Sequence, residues 1–520
     1  MLRALPPIIE HAAVHRTRTA IVEGETHYTY DDLNQTSALI AARLLAIRRR
    51  VCLEENLPSL DEARIAFLVP PGFRHIAIQW GIWRAGGIAV PLPLSHPPAE
   101  LEFLIRDAEA SIAVADSANA AALAPVAESS NAQFLTSDEL ANSAGPKPRA
   151  TSSVPQDTPP SVAQSFSPAQ RAMILYTSGT TNRPKGVVTT HENLAAQIES
   201  LVTAWEWTSS DRTLLVLPLH HVHGIVNVVC CALWSGAVLE THPRFDAEAA
   251  WERLASGDLT VFTAVPTMYH RLIQSWKAAA PEEQRRRSQG CRSLRLMMCG
   301  SAPLPRTVLD EWQAISGHLL LERYGMTEVG MALANPLKGE RRPGFVGQPL
   351  PNVSVRLVDG EIQLKGPGVF SEYWRRPEVT RASFADGWFR TGDIAALEGG
   401  AYHLLGRSSV DIIKSGGDKI SALEIEEVLR AHPAISDCAV VGVDDLEWGQ
   451  RVCCAVELRP ETYLELGELR EWARTRLAAS KIPKSLMCVK QLPRNAMGKI
   501  VKPEVTALFA RPAPPAPPES

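Results

Sequence analysis

The run Tyr176–Gly186 reads YTSGTTNRPKG. It sets the hydroxyls of Thr177, Ser178, Thr180 and Thr181 around Gly179, with Lys185 following Pro184. In a Gly/Ser/Thr loop, backbone N–H groups can converge on an oxyanion, hydroxyls add donors and a lysine adds a point charge. The chemistry indicated is phosphate binding. The run is not a Walker P-loop, which needs Gly directly before the lysine and Ser or Thr after it; here Pro184 precedes and Gly186 follows. Other chemistry-bearing runs lie downstream: LPLHHVHG (Leu217–Gly224), GSAPLP (Gly300–Pro305), LERYGMTE (Leu321–Glu328), GWFRTGDIA (Gly387–Ala395), GRSSVDIIKSGGDKIS (Gly406–Ser421) and PRNAMGKI (Pro493–Ile500). His220, His221 and His223 lie in an apolar segment with no acidic residue near in sequence, which suits a pocket wall better than a zinc site.

These residues need a scaffold, and the sequence supplies an alternating one. Two short β-type runs from Thr19 precede a helix start at DDLNQTS. Arg64–Val69 reads as a strand, His75–Ala85 as a helix, Gly86–Val90 as a strand and Pro98–Ala108 as a helix. The apolar run Ala172–Tyr176 is a buried strand that opens into the phosphate loop. Alternation continues through VFTAV at Val261 and LRLMMCG at Leu294, which argues for an α/β sheet covered on both faces. From Asn352 strands dominate, and after Arg407 a new α/β pattern begins. The Ser/Pro-rich stretch 141–170 reads as a flexible surface loop, and the Pro-rich residues 509–520 as a disordered tail.

At 520 residues the chain needs more than one core. Its 45% hydrophobic and 21% charged residues are those of a globular protein, and a net charge of −4 without a basic stripe argues against nucleic-acid binding. Arg285-Arg286-Arg287 beside Glu282 and Glu283 reads as a solvated helix face. The nine cysteines show no CxxC spacing, so a reducing compartment is expected. The apolar stretch Ile225–Leu239 is too short for an integral membrane span and reads as a buried helix running into a strand. The first twenty residues hold arginines and one acidic residue, so a mitochondrial matrix location stands beside the cytoplasmic one.

Taken together and in order, the seven runs resemble the motifs of the acyl-CoA synthetase and adenylate-forming (AMP-binding) superfamily, over residues 19–505. The resemblance implies an α/β fold with a large N-terminal adenylation domain, residues 1–406, built of two α/β subdomains and a distorted β-barrel. A small mobile α+β domain, 407–508, follows. It implies ATP, Mg²⁺ and coenzyme A as ligands, small molecules as the partners, and a monomer or homodimer. Thr177, Ser178, Gly179, Thr180, Thr181 and Lys185 would hold the β- and γ-phosphates. Gly300, Ser301 and Ala302, with Glu322, Arg323, Tyr324 and Gly325, would line the adenine slot. Asp393 would take the ribose hydroxyls with Arg407 beside it. Thr327 would face the α-phosphate, Glu328 would hold the metal, and Lys499 would bridge the substrate carboxylate and the α-phosphate. In the second half-reaction Ser415, Gly416 and Gly417 would flank pantetheine, with the hinge near Ser409. Asn182 stands where relatives carry glycine, and Val358-Asp359-Gly360 looks like a trimmed hairpin.

Several runs, among them AVPTMYHRLI, resemble the malonyl-CoA synthetase branch. A second carboxylate buried without a partner is very costly, so such a pocket needs a fixed cation. Helical spacing puts Met268, Tyr269, Leu272, Ile273 and Trp276 on one apolar face with Arg271 off it, and an arginine fork suits a carboxylate. Arg271 is therefore the expected cation, with His221, Ser301 and Met326 as further contacts. The expected substrates are malonate and methylmalonate. A ligase for another short or medium-chain acid, a luciferase-like oxygenase and a non-catalytic binding protein are the alternatives.

Overall fold

The computed structural model describes residues 5–52, 59–141, 167, 169–177, 184–415, 418–494 and 498–510. Expectations on 142–166 and on the tail after 510 lie outside the described residues. Two large sheets make up the N-terminal part. One has nine strands, in which Leu321–Met326, Leu296–Cys299, Val261–Ala264, Arg212–Leu215, Val238–Thr241 and Thr19–Glu23 run side by side in parallel. The other has seven strands and includes Arg64–Leu68, Ile88–Pro91 and Ile112–Ala115, all buried along their length apart from Arg64. Short apolar strands of this kind fit parallel sheets covered by helices on both faces. The first helix, Pro7–Ala12, joins this core: Ile8 and Ile9 are buried and His11 stacks on Trp234.

Ala172–Tyr176 does fall in a strand, Arg171–Thr177, and that strand turns back as an antiparallel hairpin. Thr177 pairs with Lys185 across it. Residues 354–407 supply a five-stranded antiparallel sheet. In it Val358 and Glu361 pair across Asp359 and Gly360, which both take positive φ (51° and 84°). That is the two-residue hairpin whose twist matches its strands. The C-terminal body holds a further five-stranded sheet, with Gly449–Leu458 at its centre and Ile435–Asp445 paired along it at one edge, and the helices Ala422–Arg430, Leu466–Arg474 and Lys502–Ala510.

Ile225–Leu239 is helical through Trp234, beginning with a π-helical turn at Ile225–Cys230, and then enters the strand Val238–Thr241. Cys230, Cys231, Cys453 and Cys454 are buried thiols. One reading of charge is corrected. Arg287 does not sit on a solvated face: it is 6% exposed, lies over the Trp251 ring and binds Glu283 at 2.7 Å and Glu248 at 2.5 Å. A run of like charges shows no helical phase, so the inward residue cannot be told from its neighbours.

Candidate active site

The parallel strands of the nine-stranded sheet end on one edge, and the chemistry-bearing runs gather there. Val261–Ala264 leads into the helix Pro266–Ala278, Leu296–Cys299 into Gly300 and Ser301, and Leu321–Met326 into Thr327 and Glu328. The carboxyl edge of an open α/β sheet is where ligands bind, because loops there are free to diverge while the strands hold their origins.

The helix Pro266–Ala278 starts at a proline, whose fixed φ suits the first turn. It is anchored by Tyr269, wholly buried, whose hydroxyl donates to the Met298 carbonyl at 2.9 Å and whose ring packs edge-on to Phe262 and Trp312. Trp251 adds an indole hydrogen bond to the Leu272 carbonyl at 2.9 Å. Leu272 and Ile273 share the buried face as expected. Arg271 is exposed, with its guanidinium 5.0 Å from the centre of the Phe245 ring, and it has no hydrogen-bonded partner among the described residues.

Along Leu321–Met326 side chains alternate between faces, as strand geometry requires. Tyr324 donates its hydroxyl to Asp393 Oδ2 at 2.6 Å, and Arg407 Nε donates to Asp393 Oδ1 at 2.9 Å. Asp393 and Arg407 meet because their strands pair in that register. Glu322 is buried, accepts the Gly344 N–H at 2.8 Å, and is pushed up to about 7 by that burial. Arg323 departs from the adenine-slot expectation. It points the other way, beneath Gly300, to His223 Nε2. His223 is buried, and its Nδ1 meets the Ser301 hydroxyl at 3.1 Å while Thr263 Oγ1 lies 2.9 Å from Nε2. Burial, then the neighbouring Arg323 charge, hold this imidazole far below its usual range. The sequence reading singles out His221 among the three histidines and gives His223 no role of its own; His223 is the one of the three that is fully buried. His221 is half-buried, tilted against His220 with ring centres 4.1 Å apart, and burial lowers it to about 4.

Glu328 is 6% exposed and accepts the Tyr373 hydroxyl at 2.7 Å; burial raises its pKa. Tyr373 reaches it because Glu372–Tyr373 pairs with Val187 and Val188 in the second strand of the hairpin that begins at Arg171. Lys185 Nζ lies 5.4 Å from the centre of the same Tyr373 ring. Lys185, Tyr373 and Glu328 thus form one patch, and Tyr373 carried no signal in the sequence. Thr177 closes its strand beside them, partly exposed, while Ser178, Gly179, Thr180, Thr181 and Asn182 lie outside the described residues. Ala302, Gly325, Met326 and Thr327 are partly exposed at the same edge.

The C-terminal body covers this edge. Glu427 accepts the N–H of Arg306, the first residue of the helix Arg306–Ser316, at 2.9 Å, and Ser421 donates to the Leu405 carbonyl. A side chain built at Gly498 would contact Thr267 at 3.4 Å, so Gly498 lies on the start of the Pro266–Ala278 helix, and the next residue, Lys499, is exposed. In the linker Ser409 is exposed, and Asp411 accepts the Arg407 N–H at 3.0 Å and pairs with the buried Lys502 at 2.7 Å. Ser415 is buried; Gly416 and Gly417 lie outside the described residues.

This geometry can be set beside known proteins. The AMP-binding enzyme family model matches residues 8–374, and the AMP-binding enzyme C-terminal domain model matches 424–499. The chain belongs to the AMP-binding enzyme family. It is similar to a mitochondrial malonate–CoA ligase of Mus musculus, 41% identical over 96% of this chain and 90% of that one. A malonate–CoA ligase of Arabidopsis thaliana is 41% identical over 87% of this chain and 79% of its own. Among solved structures, ATP-bound MatB from Rhodopseudomonas palustris superposes with a TM-score of 0.84 at 30% identity, covering 96% of this chain and 99% of that one. The large N-terminal and small C-terminal parts described above are the architecture of AMP-binding enzymes. Among the described residues of this AMP-binding enzyme, no helix is long and apolar enough to cross a membrane.

Proposed function

We propose that the chain is an ATP-dependent malonate–CoA ligase that also accepts methylmalonate. A malonate carboxylate oxygen attacks the α-phosphorus of ATP and pyrophosphate leaves. The thiol of coenzyme A then attacks the acyl carbon, losing its proton, and AMP departs. The observation that carries this reading is the 41% identity to malonate–CoA ligases along nearly the full chain.

The first step brings an anion to a polyanion, so positioning and fixed cations do most of the work. Asp393, held by Tyr324 and Arg407, keeps acceptor capacity for two ribose hydroxyls. Glu328 is a buried carboxylate that accepts the Tyr373 hydroxyl, and it suits a hard, oxygen-ligated cation. Mg²⁺ bound there supplies charge neutralisation to the phosphates. Thr177 and Lys185 stand at the base of the phosphate hairpin. Lys499 is the residue assigned to the carboxylate and α-phosphate, and Thr327 to the phosphate beside it. Arg271, His221, Ser301 and Met326 are assigned to the acid, Ser415 to the pantetheine path and Ser409 to the hinge. The mitochondrial relatives favour a matrix location.

A second reading, a ligase for another short acid, draws on the exposure of Arg271 and its place over Phe245 rather than against a polar partner. Pyrophosphate release that depends on CoA and ATP decides between them. The panel is malonate, methylmalonate, succinate, acetate and octanoate, with wild type and Arg271→Ala. Malonate-selective turnover that collapses in the variant supports both the reaction and the residue. Turnover of acetate or octanoate with malonate inert discards the dicarboxylate reading.

A further inference from the structure

Arg323 is 3% exposed and meets no carboxylate within ion-pair distance among the described residues. Its Nη2 bonds His223 Nε2, while its Nε and Nη1 are buried with no hydrogen-bond partner among the described residues. Leaving a guanidinium in this state is expensive, and a fold retains such a charge where an anion arrives to balance it. The guanidinium sits directly under the loop that carries Ser301. A Cβ built on Gly300 would lie 2.3 Å from Arg323 Nη1, so the close approach requires glycine there. Ser301 itself takes φ = +71°, a left-handed conformation rare for a residue with a side chain.

The donor logic along this chain of contacts has one solution. Arginine has only donors, so His223 Nε2 accepts from it, with Thr263 Oγ1 packed 2.9 Å from the same nitrogen. The imidazole proton then sits on Nδ1 and donates to Ser301 Oγ at 3.1 Å. With its oxygen occupied as an acceptor, the Ser301 hydroxyl is left to donate outward, into the cleft. We infer that Arg323 is a positioning residue for the acid: through His223 it fixes Ser301 as a hydrogen-bond donor toward the substrate's free carboxylate. This rests on the dicarboxylate reading above. It also answers a difficulty in that reading, since the cation expected at Arg271 is exposed whereas Arg323 brings a buried charge to the same edge of the sheet.

The test is a double-mutant cycle of Arg323→Met and Ser301→Ala, with Arg323→Lys as the conservative variant. The readouts are kcat and KM for malonate and acetate, KM for ATP, and the melting temperature of each protein. Arg323→Met should raise the malonate KM about 10- to 100-fold, the size of one charge-assisted hydrogen bond, and lower the malonate-over-acetate preference by a similar factor. The ATP KM should stay within about twofold, Arg323→Lys should recover part of the loss, and the double variant should be no worse than the worse single variant. Equal loss on both acids, or additive effects in the cycle, overturns the relay. Should Arg323→Met fail to fold, the cycle is run with Arg323→Lys, whose coupling to Ser301→Ala decides the matter in the same way. A wild type without malonate preference brings down the dicarboxylate reading itself, whereas a malonate-selective wild type with an additive cycle brings down only the relay.

Discussion

Replacing Asp393 by asparagine should separate nucleotide binding from every other function of the site. An ionised carboxylate has about four acceptor positions. Tyr324 takes one at 2.6 Å and Arg407 Nε another at 2.9 Å, with Arg407 Nη2 only a long contact at 3.5 Å, so capacity remains for the ribose O2′ and O3′ hydroxyls. Asparagine keeps a single oxygen. With its NH₂ toward Arg407 Nε, donor meets donor; turned the other way, the Tyr324 hydroxyl must accept where it donated before, and in either case the Arg407 guanidinium loses its counter-charge. A hydrogen bond to a charged group contributes about 1.5–3 kcal/mol. With two such bonds weakened and one neutral acceptor retained, the expected loss is about 3 kcal/mol, or about a hundredfold in the Kd for ATP. Calorimetric titration with ATP and with 2′-deoxy-ATP measures this. Wild type should bind the deoxy analogue about tenfold more weakly, and Asp393→Asn should bind the two nucleotides within about twofold of each other. A variant that still discriminates between them as wild type does would refute the ribose assignment, whatever its absolute affinity.

The remaining predictions concern the other ionisable groups of the site. Lys499→Ala should slow malonyl-AMP formation by about a hundredfold or more while leaving CoA transfer from supplied malonyl-AMP largely intact, and equal loss in both half-reactions would remove the bridging role. Glu322, raised by burial from 4.5 to about 7, binds its proton more tightly folded than unfolded. Its contribution to stability is therefore fully present below about pH 4.5 and is lost as pH rises through about 7, an effect of about 3 kcal/mol. Melting curves of ligand-free wild type and Glu322→Gln should diverge across that window in favour of the variant; parallel curves would show that the carboxyl does not titrate there. Tyr373→Phe removes the hydroxyl that donates to the Glu328 carboxylate and should raise that carboxyl further, so Mg²⁺ dependence of adenylation should move to higher metal concentrations by about tenfold, with the malonate KM unchanged. An unchanged Mg²⁺ requirement would detach Tyr373 from metal binding.

Much of this protein could be read from its sequence, because the informative features are local. A strand of period two, a proline at a helix start and an Asp-Gly pair between paired strands each depend on neighbours within a few residues. The strands at Arg64 and Ala172, the helix carrying Arg271 and the hairpin at Asp359-Gly360 could all be foreseen on that basis. The ordered motifs likewise singled out Glu328, Asp393 and Lys499 as candidates, since the chemistry proposed for them is carried by short runs. Contacts between distant runs were not legible. Arg323 and His223 are a hundred positions apart and meet only because Cys299 pairs with Glu322 and Ala264 with Cys299 across three parallel strands. That register turns Arg323 away from Glu322 and Tyr324, under Gly300. Tyr373 reaches Glu328 only through an added strand on the phosphate hairpin, and Arg287 turns inward because Glu248 and Trp251 receive it. Sequence fixes which groups are available and the period on which they are presented. Which of them share a low-dielectric space, and so which charges must answer one another, is decided by strand register and helix packing in the folded chain.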